Sequence, residues 1–134
     1  MRRVLYISTA KTDVTKPMID DILLTARRKN EAAGVTGLLV SGGRRFLQAL
    51  EGPEDAVEAI YQSILKDPRH FAMVKLSDKP IDSRAFADWS MGYQPGADAP
   101  SDWSLQQQVA FIVAPLEDAN LRAYFTGFVE RHSS

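Results

Sequence analysis

Apolar residues along this chain recur with a period of two, then of about three and a half, then of two again, and the order of those changes limits the fold more than any single motif. Arg2 to Ser8 alternates as a strand, with Val4, Tyr6 and Ser8 on one face and Leu5 and Ile7 on the other. Apolar groups on both faces require cover on both sides of the sheet. From Pro17 to about Ala33 the positions Ile19, Leu23 and Ala26, joined by Ile22, make a helical stripe, and Asp20, Asp21, Arg27 and Arg28 fall off it. Gly34 ends that helix, Val35 to Val40 is a short apolar strand, and "SGG" at Ser41 to Gly43 turns it into a third strand, Arg44 to Glu51. "GPED" then opens a second helix, with Gly52 as cap, Pro53 at the first helical position, and Glu54 and Asp55 at the positive end of the dipole. Its apolar face is Val57, Ile60, Tyr61, Ile64 and Leu65. After "KDPRH" at Lys66 to His70 comes a fourth strand, Phe71 to Leu76, and a fifth is expected near Trp89 to Tyr93. The order βαββαββ predicts an α+β fold with a five-stranded mixed sheet and two helices on one face.

Past Gln94, "PGADAPSD" reads as a linker or turn region. Leu105, Val109, Ile112 and Val113 form one amphipathic helix, Pro115 interrupts, and Leu121, Tyr124, Phe125, Phe128 and Val129 form another. The expected division is a domain over residues 1–95 and a helical extension over 96–134, packed on the bare sheet face or on another subunit.

Composition narrows the chemistry. At 134 residues the chain makes one domain with a short appendage, and no second catalytic domain fits after Tyr93. With 16 basic and 17 acidic residues the net charge is −1, which gives no general attraction to nucleic acid or acidic lipid. The absence of cysteine excludes disulfides, thiolate metal sites and a cysteine nucleophile. "MRRVLYISTA" has too short an apolar run for a signal peptide, and no segment approaches 18 apolar residues, so a soluble cytoplasmic protein is expected. Of the two histidines, His70 and His132, the second is near the terminus, so neither a histidine metal site nor a serine triad is supported.

Gln48 stands between Phe46 and Leu50 on one face of the third strand, where an unpaired amide costs roughly 1–3 kcal/mol and must therefore find partners. Tyr6 on the first strand and Asn30 at the end of the first helical stripe are likewise polar tips on apolar faces. The first and third strands are central neighbours in this topology, so Tyr6 and Gln48 are within reach of each other. One reading is an ordinary core whose polar groups satisfy one another. The other is a site for a planar ring with donors and acceptors on its edge. Trp89 and Met91 share one face of the last strand and read first as core. Arg27, Arg28, Lys29, Arg69 and His70 read first as solvated charges, although a phosphate-bearing cofactor would use one or two of them.

The motifs "VLYIS", "ARRKNEAAGVTGLLV", "RFLQALEGPEDAV", "ILKDPRH" and "RAFADWSMG", in that order, resemble the BLUF domains, flavin-binding blue-light sensors, over about Arg2 to Tyr93. The resemblance is to the short stand-alone type. It implies a ferredoxin-like fold, two helices holding the flavin, and FAD as cofactor, with FMN as the alternative. It also implies that Tyr6 is the light-driven electron and proton donor, Gln48 the amide between that phenol and the flavin N5/C4 carbonyl edge, and Asn30 a fixed partner of the isoalloxazine ring. In the family the glutamine then rearranges by rotation or tautomerisation, the flavin shifts to the red, and the state decays in darkness. Trp89 and Met91 belong to the strand that shifts with the glutamine. Arg28, Lys29, Arg69 and His70 are the candidates for ribityl, phosphate or adenine contacts. Ala26 stands where other members place a hydroxyl. The function implied is a non-enzymatic photoreceptor that signals to a partner protein or through a homo-oligomer, without nucleic acid or membrane. The competing reading is a light-insensitive ferredoxin-like interaction or dimerisation module.

Overall fold

The computed structural model describes residues 1–12, 15–42, 44–86, 107, 109–110 and 113–132. Its strands are β1 (Arg2–Ala10), β2 (Thr36–Gly42), β3 (Arg45–Gly52) and β4 (His70–Pro80), and its helices are α1 (Lys16–Ala33), α2 (Glu54–Leu65) and α3 (Ala119–His132). The sheet runs β2-β3-β1-β4. All three pairings are antiparallel, so the mixed pairing expected from the element order is not found among the described strands. The reason is geometric: each helix returns the chain parallel to the strand before it, and a strand of the opposite direction fills the gap between the two. The expected fifth strand near Trp89 to Tyr93 lies outside the described residues.

Local chemistry sets the helix ends. Thr15 caps α1 by accepting from the Met18 N–H at 3.3 Å, with Pro17 in the first turn. Gly34 closes it in the left-handed region at φ 71°, and the Asn30 carbonyl accepts from the Val35 N–H at 2.9 Å. The backbone of Asn30 is thereby tied at the helix end. Pro53 is the N-cap of α2 and not its first helical residue, because its extended ψ of 139° starts the helix one position later.

Strand β4 carries two irregularities. Ile7 pairs with Val74 and Thr9 with Phe71, so Ala72 and Met73 together oppose Ser8, and Ala72 takes a positive φ of 55°. A second slip leaves Leu76 extra between the partners of Leu5 and Tyr6. Such bulges bend a strand and re-aim its side chains, and these two flank the partner of Tyr6.

The sheet is covered on both faces. On the inner face Val4, Leu39, Phe46 and Leu50 pack under Leu23 of α1 and Val57 and Ile60 of α2. On the outer face Leu5, Leu38, Leu47 and Ala49 pack against Phe86, Val109, Val113 and the Phe125 stripe of α3. Phe86 and Phe125 meet edge to face at 5.9 Å. Among the described residues no helix is long and apolar enough to cross a membrane.

Candidate functional site

The inner face opens between α1 and α2 into a cleft of about 760 Å³, counting the space at its mouth. Its floor comes from the two central strands. Tyr6 on β1 is paired directly with Gln48 on β3, and Gln48 in turn with Leu39 on β2. Asn30 reaches the same space from the last turn of α1. All three are buried, at 2% exposure for Tyr6, 5% for Gln48 and 1% for Asn30.

The surroundings of Tyr6 define its chemistry. Its ring stands edge-on to Tyr61 at 5.6 Å, and the Lys75 ammonium lies 4.8 Å from the centre of the Tyr61 ring. Burial pushes the Tyr6 phenol well above its usual range, and the neighbouring Tyr61 and Asp67 push it the same way. The phenol is therefore neutral and protonated at any physiological pH.

Apolar side chains form the walls: Ile22 and Ala26 from α1, Ile60 and Ile64 from α2, with Leu39 and Phe46 from the sheet. At the mouth Lys29 Nζ donates to Ser63 Oγ at 3.3 Å, bridging the two helices. Arg69 sets its guanidinium against Asp67, with Nη2 to Oδ2 at 2.6 Å, and reaches Asp21 on α1 through Nη1 at 2.8 Å. That contact with Arg69 holds the Asp67 carboxyl below its ordinary range. His70 Nε2 lies 2.7 Å from the Ile64 carbonyl, which can only accept, so this nitrogen carries the proton.

The structure thus brings Tyr6, Asn30, Gln48, Lys29, Arg69 and His70 around one space. Arg28 is the exception. It is exposed and does not line the cleft, because two residues before Asn30 on a helix is about 200° around the axis. Trp89 and Met91 lie outside the described residues. Ser8, Thr25, Ser63 and Asp67 line the cleft as well. Ser8 shares a strand face with Tyr6, and Thr25 precedes Ala26 on the lining side of α1, so periodicity carries a signal for both. Asp67 has no such signal, since a loop has no period.

The arrangement suits a flat heteroaromatic ring. Apolar walls on two sides supply contact area, and the amide, phenol and hydroxyl groups that line the cleft supply donors and acceptors. The mouth adds cations on both helices' ends for a charged tail. Among the described residues no group of three or more histidines, aspartates or glutamates is placed to hold a metal.

Residues 1–92 match the family model described as sensors of blue-light using FAD. The chain belongs to the BLUF family. A BLUF domain takes a flavin, and the cleft has the shape and edge chemistry for its ring. The blue light- and temperature-regulated antirepressor BluF of Escherichia coli is 36% identical over 88 residues, 66% of this chain and 22% of that protein. Photoactivated adenylate cyclase subunit beta of Euglena longa is 38% identical over 87 residues, 64% of this chain and 10% of that protein. The chain therefore spans about a fifth or less of the length of these curated relatives. Among solved structures, the photo-activated state of BlsA superposes with a TM-score of 0.71 at 27% identity, covering 95% of this chain and 92% of that one.

Proposed function

We propose that this BLUF domain is a blue-light photoreceptor in which Tyr6 and Gln48 perform the primary event. The observation that carries the reading is their direct pairing across β1 and β3 at the floor of the cleft, with Asn30 facing the same space. A flavin held in this cleft would supply a blue-light-absorbing ring that, when excited, accepts an electron and a proton from a neighbour. Tyr6 supplies both. Because burial holds its phenol protonated, losing the proton ahead of the electron is costly, so the two leave closely coupled. Gln48 would relay the proton and, as electron and proton return to Tyr6, would present the other end of its amide, by rotation or tautomerisation, to the flavin carbonyl edge. An amide does this with little change of volume, which makes it a two-state element inside a packed site. Asn30 anchors the ring, and its tied backbone keeps that anchor in place while Gln48 changes. Lys29, Arg69 and His70 hold the ribityl and phosphate groups of FAD, or of FMN, the flavin named with a solved structure of Klebsiella pneumoniae BlrP1.

Residues 1–95 form the sensing domain, with a fifth strand near Trp89 to Tyr93 that moves with Gln48. Residues 96–134 form two helices that carry the signal to a cytoplasmic protein partner or to a homo-oligomer. Burial of Val109, Val113 and Phe125 against the outer sheet face supports that role for the extension. The domain senses and does not itself catalyse; the cyclase name belongs to a relative of which this chain spans a tenth. Comparing Tyr6→Phe with the native protein tests the reading. The variant keeps the packing against Tyr61 and is expected to retain flavin but lose the reversible red shift; a native-sized shift in the variant contradicts Tyr6 as donor.

A further inference from the structure

Glu51 is a carboxylate that the photochemistry does not use, yet it is fully buried on the outer face of the sheet. It stands at the end of β3, paired directly with Arg3 of β1, so the strands that set Tyr6 against Gln48 on the inner face set Arg3 against Glu51 on the outer. Glu51 Oε2 accepts from Arg3 Nε at 2.9 Å. The same oxygen accepts from the Ala85 N–H at 2.9 Å, and Oε1 accepts from the Phe86 N–H at 2.8 Å. Both carboxylate oxygens are thus engaged by the backbone of one segment, and the chain that continues from Phe86 carries Trp89 and Met91. Arg84 adds a second hold on this segment, donating to the Gly34 carbonyl at 2.7 Å and to Thr36 Oγ1 at 3.1 Å.

Arg3 extends the network to the C-terminal helix. Its Nη1 donates to Asp118 Oδ2 at 3.2 Å, where Lys79 Nζ also donates at 2.9 Å. The other oxygen of Asp118 caps α3 by accepting from the Leu121 N–H at 3.1 Å. A single chain of charge-assisted hydrogen bonds therefore runs from Glu51 at the end of the Gln48 strand through Arg3 to Asp118 at the start of α3, with the 85–86 backbone fastened at its Glu51 end.

We propose that Glu51 is a positioning residue that clamps the segment leading to Trp89 and joins it, through Arg3 and Asp118, to α3, so that a change at Gln48 reaches the C-terminal helix through this carboxylate. The inference rests on the photoreceptor reading for the light-driven half, while the clamp itself is a property of the dark protein. A stiff, fully bonded carboxylate transmits displacement where a loosely packed apolar contact would absorb it. Breaking such a pair leaves its partner charge buried, which makes the joint all-or-none in character.

Residue-resolved hydrogen exchange on the full flavin-loaded chain, in darkness and under blue light, tests this. Glu51→Gln keeps the shape but turns an amide N–H₂ toward one of its donors. Asp118→Asn sits at a partly exposed site, keeps the cap oxygen, and removes the ion pair with Arg3 and Lys79, so it serves where the first variant fails to fold. In darkness, Glu51→Gln is expected to speed exchange of the Ala85 and Phe86 amides by about tenfold or more; unchanged rates overturn the clamp. Under light, both variants are expected to show the red shift of the native protein but to lose its light-induced change in exchange along α3. A variant with a normal red shift and a native change in α3 overturns the joint. Absence of any red shift in the native protein overturns the photoreceptor reading and the light-driven half with it, whereas the dark exchange rates judge the clamp by themselves.

Discussion

Tyr6 and Gln48 are directly opposed residues of neighbouring antiparallel strands, both buried and both facing the cleft between α1 and α2. Their separation is fixed by the sheet and not by side-chain preference. The freedom we propose for Gln48 is which end of its amide faces which neighbour. That combination of a rigid frame and one reversible polar group is what a light switch needs.

Replacing the amide isolates that freedom. Gln48→Leu keeps a side chain suited to a buried strand position and removes the donor and acceptor. The variant is expected to fold, to keep flavin, and to show no light-induced red shift. Flash absorption spectroscopy of the loaded variant reads this directly, and a shift of native size would remove Gln48 from the mechanism.

Asn30 is expected to act in binding and not in switching. Asn30→Ala loses a buried amide that lines the cleft, so under the proposed role flavin affinity is expected to fall by roughly tenfold, the scale of about 1.5 kcal/mol for one buried hydrogen bond. Equilibrium titration with FAD measures this. Whatever fraction stays loaded should still shift to the red, because Tyr6 and Gln48 are intact.

How far the sequence carries can be judged from these same residues. The stripe Ile19, Ile22, Leu23 and Ala26 marks α1 and puts Asn30 at its end, and the alternation of Arg2 to Ser8 puts Tyr6 inward. The helical stripe rests on burial of one face, which leaves a period in the sequence, whereas on β1 both faces are buried and Tyr6 is placed by alternation with Val4 and Ser8. Arg28 and Lys29 differ only by helical phase near a helix end, where apolar neighbours no longer fix the rotation. The reach of β4 to Pro80 is hidden because a strand at the edge of the described sheet, with many exposed residues, carries no clean alternation. Glu51 is the clearest limit: its partners Arg3, Ala85 and Phe86 are far away in the chain, and a charged strand residue gives no local sign that it is buried.

Two glycines are expected to differ in their tolerance of a methyl group. At Gly34 nothing lies within 4 Å of an added Cβ, so Gly34→Ala pays only for the left-handed backbone, about 1 kcal/mol. At Gly52 an added Cβ sits 2.9 Å from the Gly34 carbonyl oxygen and 3.2 Å from Val35 Cα, and backbone cannot step aside as a side chain does. Gly52→Ala is therefore expected to be the costlier change, about 1–3 kcal/mol. Chemical denaturation of both variants gives the order.

Asp118 gives the C-terminal helix an acid-sensitive hold. The Lys79 ammonium first, and then the Leu121 N–H, lower its carboxyl from 3.8 to about 2. With the folded value below the unfolded one, the unfolded chain binds more protons between them. The stabilisation is complete above about pH 4 and is lost as pH falls through about 2. The pair is partly exposed, so the effect is small and weakened by salt. Denaturation of the native protein and of Asp118→Asn should give a difference at pH 6 that narrows toward pH 2; a difference independent of pH contradicts the assignment.

The visible absorption spectrum of the purified protein, taken in darkness and again after a blue flash, decides whether this BLUF domain is a working photoreceptor. The expected result is a yellow protein whose flavin band moves to longer wavelength and returns in the dark. A protein that cannot be loaded with FAD or FMN, or a flavin band that light never moves, would contradict it and leave Gln48 as a core amide of an interaction module.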